Sequence, residues 1–185
     1  VVDEIGYGTA QENWAATESG VKDLYWEYTG TAWSRLPPRR ERRITDPQRL
    51  YELVAADARE RGLVMAPPAP FSNGYVLVAD RAWSERTGVE TVSDLADTLD
   101  AGETDFGVAF NEDFYHRQDG WRGLASYYDI GAEARTALER GEFVVTSVGL
   151  TYELLSNGDV QLASGFATDP QLLRPSLVVL DDDRD

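Results

Sequence analysis

Aromatic rings and hydroxyl groups are concentrated in residues 23–33, DLYWEYTGTAW, which hold four aromatic side chains, two threonines and two carboxylates. A buried strand would need partners for these polar groups, and an ordinary surface loop would expose too much ring area. Two other segments, FSNGY (71–75) and GFATD (165–169), also place a ring beside small polar residues. Rings held in fixed positions predict a site for a quaternary ammonium group, which cannot donate strong hydrogen bonds but is attracted by ring faces. The alternative is that these rings pack the core, and spacing alone favours it.

Residues that could support metal binding or covalent catalysis are scarce. The chain has no cysteine, and its single histidine is His116. This composition argues against disulfides, thiolate metal sites, a histidine-based metal cluster and a Ser-His-Asp triad, so we expect no metal or other cofactor and no catalytic role for His116. The 33 acidic residues make some close carboxylate pair inevitable. A hydrolase that uses paired carboxylates, such as a glycosidase, is therefore a weakly supported alternative.

The charge balance limits the partners. A net charge of −16 argues against nucleic acid, because phosphate binding needs a basic face. Lys22 is the only lysine among the 17 basic residues, so the rest are arginines. Many carboxylates with almost no lysine are typical of proteins from salt-loving organisms, and a codon bias towards G and C would act in the same direction.

The elements that carry these residues follow from periodicity and turn signals. Helices are predicted over residues 10–20, 47–62, 91–102, 119–130, 131–140 and 148–158, and strands over 23–26, 63–66, 74–83, 105–110, 143–147, 160–165 and 176–180. Asp46 and Ser93 are the expected N-caps of the second and third helices, and residues 35–47 predict a basic, solvated connection. Strands alternate with helices, which predicts an α/β fold with a largely parallel sheet. In such sheets ligands bind beyond the carboxyl ends of the strands, where we expect the ring-bearing segments.

Five motifs follow one another along the chain: DLYWEYTGT, PAPFSNGY, RQDGWRGL, LTYELLSNGDVQLASGFATD and LVVLDDD. Their order resembles that of the substrate-binding proteins of glycine betaine, choline and carnitine ABC importers, in register over most of the chain. The most specific pieces are EYTGT and L-x-NGDV-x-L-x-x-G-x-x-TD. The resemblance implies a type 2 periplasmic-binding-protein fold, in which two lobes joined by a hinge bind a ligand between them.

The resemblance also implies roles for individual residues. Tyr28, Tyr75 and Phe166 correspond to the aromatic walls of the family's cage, and Thr31 to a ligand-contacting threonine. Arg117 corresponds to the arginine that pairs with the ligand carboxylate in betaine-binding members. The family usually has tyrosine where this chain has Phe166, so a ring face is kept and a hydroxyl is lost. Thr31 favours betaine-like zwitterions, because a choline site would more naturally place an acid near the ligand hydroxyl.

The domain division follows from the same resemblance. Residues 1–68 are expected to form part of lobe 1, residues 69–165 lobe 2, and residues 166–185 a segment that returns to lobe 1. The family's opening strand and its later P-P-Y segment have no counterpart here, so we expect an internal portion with an incomplete first lobe.

The function that the resemblance implies is solute binding for an ABC importer, with no enzymatic activity. The ligand would be a quaternary-ammonium osmoprotectant, glycine betaine foremost, and the partner a membrane permease. We expect the protein to lie outside the cytoplasm, in the periplasm or at the cell surface, tethered to the membrane in its full-length form. A ligand-sensing regulatory domain with the same lobes is the alternative.

Overall fold

The chain divides into two compact units, residues 1–70 and residues 71–185. The structure, a computed structural model, describes residues 9–35 and 44–184. Most of the predicted basic connection 35–47 lies outside the described residues. Each unit is described by itself below.

The described part of the first unit is helical. Its helices are α1 (Ala10–Glu18), α2 (Thr29–Arg35) and α3 (Pro47–Glu60). The predicted start of α3 is confirmed, because the Asp46 carboxylate accepts hydrogen bonds from the backbone N–H groups of Gln48 and Arg49. Helix α2 packs on α3. Ala32 of α2 and Val54 and Ala58 of α3 are buried.

Two strands predicted in the first unit are absent. Residues 23–26 and 63–66 form no strand, and no described strand pairs with either segment. Leu24, Trp26 and Val64 are 74%, 88% and 93% exposed. An apolar run becomes a strand only when a neighbouring backbone pairs with its N–H and C=O groups. The β propensity of these residues alone is therefore not enough to make them a strand.

The second unit is a five-stranded sheet with helices on both faces. Its elements are β1 (Tyr75–Asp80), α4 (Arg81–Thr87), α5 (Val92–Asp100), β2 (Val108–Asn111), α6 (Glu112–His116), α7 (Trp121–Tyr127), α8 (Ala132–Arg140), β3 (Phe143–Thr146), α9 (Val148–Asn157), β4 (Leu162–Phe166), a 3₁₀ helix (Pro170–Leu173) and β5 (Leu177–Val179). Alternate residues of β1 face opposite cores: Leu77 and Ala79 pack with Trp83 and Leu95, whereas Val78 packs on the other side.

The sheet is mixed, which corrects the expectation of a largely parallel one. The strand order is β3-β2-β4-β1-β5. Strand β2 runs parallel to β3 and β4, and helices connect these strands, as parallel neighbours need a crossover. Strand β1 runs antiparallel to both of its neighbours, β4 and β5. Only strands joined through helical crossovers are parallel, and β1 enters the sheet in the opposite direction.

The described part of segment 166–185 packs on elements of the second unit. Strand β5 continues the sheet beyond β1. After β5, the backbone of Asp181 exchanges hydrogen bonds with that of Glu90 and Val92. The Tyr128 hydroxyl then donates to the Asp182 carboxylate. These contacts hold the acidic end against α5 and α7.

The N-cap of α5 is Thr91, not the predicted Ser93. The Thr91 hydroxyl accepts a hydrogen bond from the backbone of Asp94 at 3.0 Å, and the Asp94 carboxylate accepts one from the backbone of Thr91 at 2.8 Å. This reciprocal capping box satisfies two backbone N–H groups, whereas the backbone of Ser93 donates to Asp183. Thr91 and Ser93 are both residues that commonly cap helices, and the reciprocal hydrogen bonds with Asp94 make Thr91 the cap.

We expect Thr91→Ala to lower the free energy of unfolding by about 1 kcal/mol at neutral pH, the usual cost of losing an N-cap side chain. Hydrogen bonds from the Thr91 side chain and backbone hold the pKa of Asp94 below its ordinary value. A carboxyl whose pKa is lowered by folding stabilises the protein above its unfolded pKa of about 3.9, and this contribution is lost as the pH falls through the folded pKa. The difference between wild type and variant should therefore shrink at about pH 3. Urea unfolding of both proteins at neutral pH and at about pH 3 measures this difference in stability. The same difference at both pH values would contradict the role of the Asp94 charge.

Candidate functional site

The register of the sheet brings two of the predicted site residues together. Tyr75 begins β1 and Phe166 ends β4, and the antiparallel pairing places the two residues opposite each other. Their rings stack with centroids 4.8 Å apart and an interplanar angle of 27°. The sequence predicted a meeting of carboxyl ends of parallel strands. The two rings meet for a different reason, because the amino end of one strand lies beside the carboxyl end of its antiparallel neighbour.

A third ring supports the pair from the interior. Phe114, on α6, is 2% exposed, and its ring centroid lies 5.1 Å from that of Tyr75. Burial raises the pKa of Tyr75 to about 12, with Arg117 opposing the shift and Asp113 and Asp119 adding to it. The hydroxyl of Tyr75 therefore stays protonated at physiological pH, and its ring remains a neutral, electron-rich face. Phe114 was not among the predicted site residues, and its place three residues before Arg117 is the signal in the sequence that points to it.

The stacked geometry limits how these rings can bind a cation. Ring centroids about 4.5–7 Å apart belong to an aromatic pair in direct contact, and 4.8 Å lies near the close end of this range. No trimethylammonium group fits between Tyr75 and Phe166 in this arrangement. A cation would contact the ring faces that are turned away from each other, or would separate the two rings. The pair is thus one wall of a site, not two opposing walls.

Arg117 lies just after α6, and its guanidinium is paired with a carboxylate of its own loop. The Nε and Nη2 atoms donate to the two carboxylate oxygens of Asp119 at 2.9 and 2.6 Å. This bidentate bond raises the pKa of Arg117 above its ordinary value. Asp119 lies in the same loop, and its side chain is 51% exposed. The fork holds the plane of the guanidinium in a defined orientation.

A cavity of about 240 Å³ within the second unit adjoins Tyr75. Its lining includes the rings of Tyr75 and Phe114, the carboxylates of Asp119 and Asp182, and aliphatic side chains such as Leu124. None of the described residues that line it is basic. Rings and carboxylates together favour a cationic or dipolar guest over an anion.

The remaining two predicted residues belong to the first unit. Tyr28 is 49% exposed and directly precedes α2, and its carbonyl accepts a hydrogen bond from the backbone of Ala32. Its backbone N–H donates to the Glu27 carboxylate at 2.9 Å. Thr31 lies in the first turn of α2 and is partly buried. The YTGT motif is therefore the start of a helix and not a strand-to-loop junction. The roles of Tyr28 and Thr31 in ligand binding stay predictions.

Two features are absent from residues 9–35 and 44–184. These residues contain no group of three or more histidine, cysteine, aspartate or glutamate side chains arranged to hold a metal ion. No helix among them is long and apolar enough to cross a membrane.

The whole chain, residues 1–185, matches the family model of the substrate-binding domain of ABC-type glycine betaine transport systems. The chain belongs to this family, as the motif order predicted. Members of the family are binding proteins of transport systems, so the alternative of a carboxylate-dependent hydrolase is not supported. The family is one of extracytoplasmic substrate-binding domains.

Two relatives give the range of described roles. The chain is 32% identical over its full length to the chemotactic signal transduction system substrate-binding protein CosB of Halobacterium salinarum, covering 57% of that protein. It is 31% identical, over 92% of its length, to a glycine-betaine-binding protein of Pseudomonas aeruginosa, covering 54% of it. The chain therefore spans little more than half the length of these relatives.

Solved structures confirm the predicted fold. A crystal structure of a glycine betaine/carnitine/choline ABC transporter superposes with a TM-score of 0.65 at 22% identity, over 96% of this chain and 61% of that one. The ligand-free YehZ protein of Escherichia coli superposes with a TM-score of 0.61 at 22% identity, over 100% of this chain and 65% of that one. The protein thus has the α/β fold of periplasmic binding proteins.

Proposed function

We propose that this protein binds a quaternary-ammonium zwitterion, glycine betaine foremost, as the solute-binding component of an ABC importer. The observation that carries the proposal is the stacked pair of Tyr75 and Phe166 beside a cavity that contains two carboxylates and no basic side chain among its described lining residues. A cation on a desolvated ring face gains about 1–2 kcal/mol for each ring. The partner would be a membrane permease, and the full-length protein would be tethered outside the cytoplasm.

The ligand's two ends would be recognised by different groups. The trimethylammonium head would lie on the outward faces of Tyr75 and Phe166, because the space between these rings is closed. The ligand carboxylate would accept hydrogen bonds from Arg117, whose orientation the fork with Asp119 sets. Tyr28 and Thr31 are further predicted ligand residues.

Calorimetric titration with glycine betaine, choline, carnitine and proline in concentrated salt tests the proposal, since the acidic composition predicts a saline environment. We expect saturable heat with glycine betaine. Tyr75→Leu should weaken binding by about tenfold, because it removes one ring face. Tyr51→Leu, which removes a ring from the first unit's α3, is the matched control. Tyr28→Ala and Thr31→Ala test the two predictions for the first unit. A wild-type protein that binds none of the four compounds would overturn the proposal and leave the rings with a packing role.

A sensory role is the second candidate, and one observation favours it. The relative with 32% identity is named as a substrate-binding protein of a chemotactic signal transduction system. Ligand recognition would be the same in both roles, and only the membrane partner would differ. Co-purification of the full-length protein with a permease supports import, whereas co-purification with a transducer protein supports sensing.

A further inference from the structure

The loops that carry Tyr75 and Phe166 are bonded to each other. The backbone of Ala167 donates to the carbonyl of Gly74 at 3.0 Å, which extends the strand pairing by one bond. The Thr168 hydroxyl donates to the side-chain oxygen of Asn73 at 2.7 Å, and the Thr168 backbone donates to the same oxygen at 3.3 Å. Asn73 therefore connects the loop before β1 to the loop after β4.

Asp169 bonds directly to the residue that carries the second ring. One of its carboxylate oxygens accepts a hydrogen bond from the backbone N–H of Phe166 at 2.9 Å. The same oxygen accepts one from the hydroxyl of Tyr152 at 2.9 Å. The backbone of Asp169 in turn donates to the carbonyl of Phe166 at 2.9 Å, which closes a tight turn. Asp169 thus bonds to both the backbone N–H and the backbone carbonyl of Phe166.

The hydroxyl of Tyr152 can bond to Asp169 only because Gly165, against which it packs, has no side chain. Tyr152 lies on α9 and is 2% exposed. A Cβ atom at Gly165 would lie 2.0 Å from the Tyr152 hydroxyl oxygen. The phenol therefore crosses the backbone of β4 at the single position without a side chain. The residue that follows this glycine is Phe166, so the ring and its support are coupled through adjacent residues.

We infer that Asp169 is a positioning residue for ligand binding, which sets the orientation of the Phe166 ring through the backbone of that residue. Asn73, Tyr152 and Thr168 complete a polar clamp with Asp169. The inference rests on the proposed function, and it names residues that hold the ring wall without contacting the ligand. Phe166 has no hydroxyl through which its ring could be anchored, so its orientation depends on the backbone and on the stack with Tyr75.

Glycine betaine titration of Asp169→Ala and Asp169→Asn tests the inference. Asp169→Ala removes the acceptor of both hydrogen bonds, and we expect it to raise the Kd about tenfold or more. Asp169→Asn keeps an oxygen that accepts from both donors, so it should restore most of the affinity. Asp97→Ala, at an exposed position of α5, is the control for loss of one surface carboxylate. A purely structural role would lower the melting temperature of Asp169→Ala and leave the Kd of the folded protein unchanged, which would overturn the inference.

Fluorine NMR of protein labelled with 4-fluorophenylalanine gives a readout without ligand. The Phe166 signal, assigned by its loss in Phe166→Leu, lies in the ring current of Tyr75. We expect it to shift in Asp169→Ala, to return in Asp169→Asn and to stay in place in Asp97→Ala. An unmoved signal in Asp169→Ala would overturn the inference, even if the wild type binds glycine betaine. If the wild type binds no ligand, the proposed function fails, and the NMR signal alone decides whether Asp169 orients the ring.

Discussion

Gly120→Ala is expected to lower the free energy of unfolding by about 3 kcal/mol, at the upper end of the usual cost of overpacking. A Cβ atom at this position would lie 1.9 Å from the carbonyl oxygen of Phe114 and 2.8 Å from its carbonyl carbon. Backbone atoms cannot move aside as the end of a side chain can, so α6 would have to shift. That shift would move Phe114 away from Tyr75 and displace the loop that carries Arg117. The substitution should therefore weaken both the fold and ligand binding.

Gly131→Ala is the matched control for this prediction. Gly120 and Gly131 are the N-cap residues of α7 and α8, and neither helix has a side-chain cap. Both substitutions replace glycine by alanine at an N-cap, which by itself costs up to about 1 kcal/mol. Only Gly120 has a close neighbour, since nothing lies within 4 Å of a Cβ atom at Gly131. Urea unfolding of the two variants isolates the close approach to Phe114, and equal losses of stability would contradict it.

Arg117→Gln should raise the Kd for glycine betaine by about thirtyfold and leave that for choline nearly unchanged. A hydrogen bond to a charged group contributes about 1.5–3 kcal/mol, and choline has no carboxylate to accept one. The fold should tolerate the change, because the Asp119 side chain left behind is 51% exposed and water can solvate it. The ratio of the two affinities is thus a specific measure of the carboxylate contact.

Arg122→Gln provides the control for net charge. Arg122 is exposed on α7, five residues along the chain from Arg117. Its substitution removes the same charge, so any long-range attraction for the ligand carboxylate falls by a similar amount in both variants. Titration of the two variants with both ligands measures the contact. Equal losses for glycine betaine and choline in Arg117→Gln would show that Arg117 supports the site structurally and does not bind the carboxylate.

Local signals predicted six of the nine α-helices in the described residues and missed the short helices α2, α4 and α6. They also predicted two strands of the first unit that the structure lacks. Asp46 and Pro47 mark the start of α3 within a few adjacent residues, so the sequence alone was sufficient there. Residues 23–26 and 63–66 have apolar runs like those of real strands, but a strand also needs a partner that the sequence does not specify. Ser93 and Thr91 are equally suitable caps by type, and only the geometry with Asp94 separates them.

The predicted site residues likewise divide into features that the sequence could predict and features that it could not. Motif order predicted Tyr75, Arg117 and Phe166 as ligand residues, which the structure places in one unit and, for the two rings, in direct contact. The sequence could not predict that Asp119 pairs with Arg117, because two residues in one loop can point in different directions. Nor could it predict that Asp169 accepts a hydrogen bond from Tyr152, since that contact passes across the backbone of β4.

The sequence by itself determined the family, the acidic and lysine-poor composition, the Asp46 cap of α3 and the residue types available to bind a quaternary ammonium group. These properties depend on composition and on the order of short motifs, which need no knowledge of distant contacts. The tertiary structure alone decided that Tyr75 and Phe166 stack closely and that Asp169 holds the second ring. Such contacts join residues far apart in the chain. They depend on the antiparallel direction and register of β1 against β4, which backbone hydrogen bonding across the whole sheet selects.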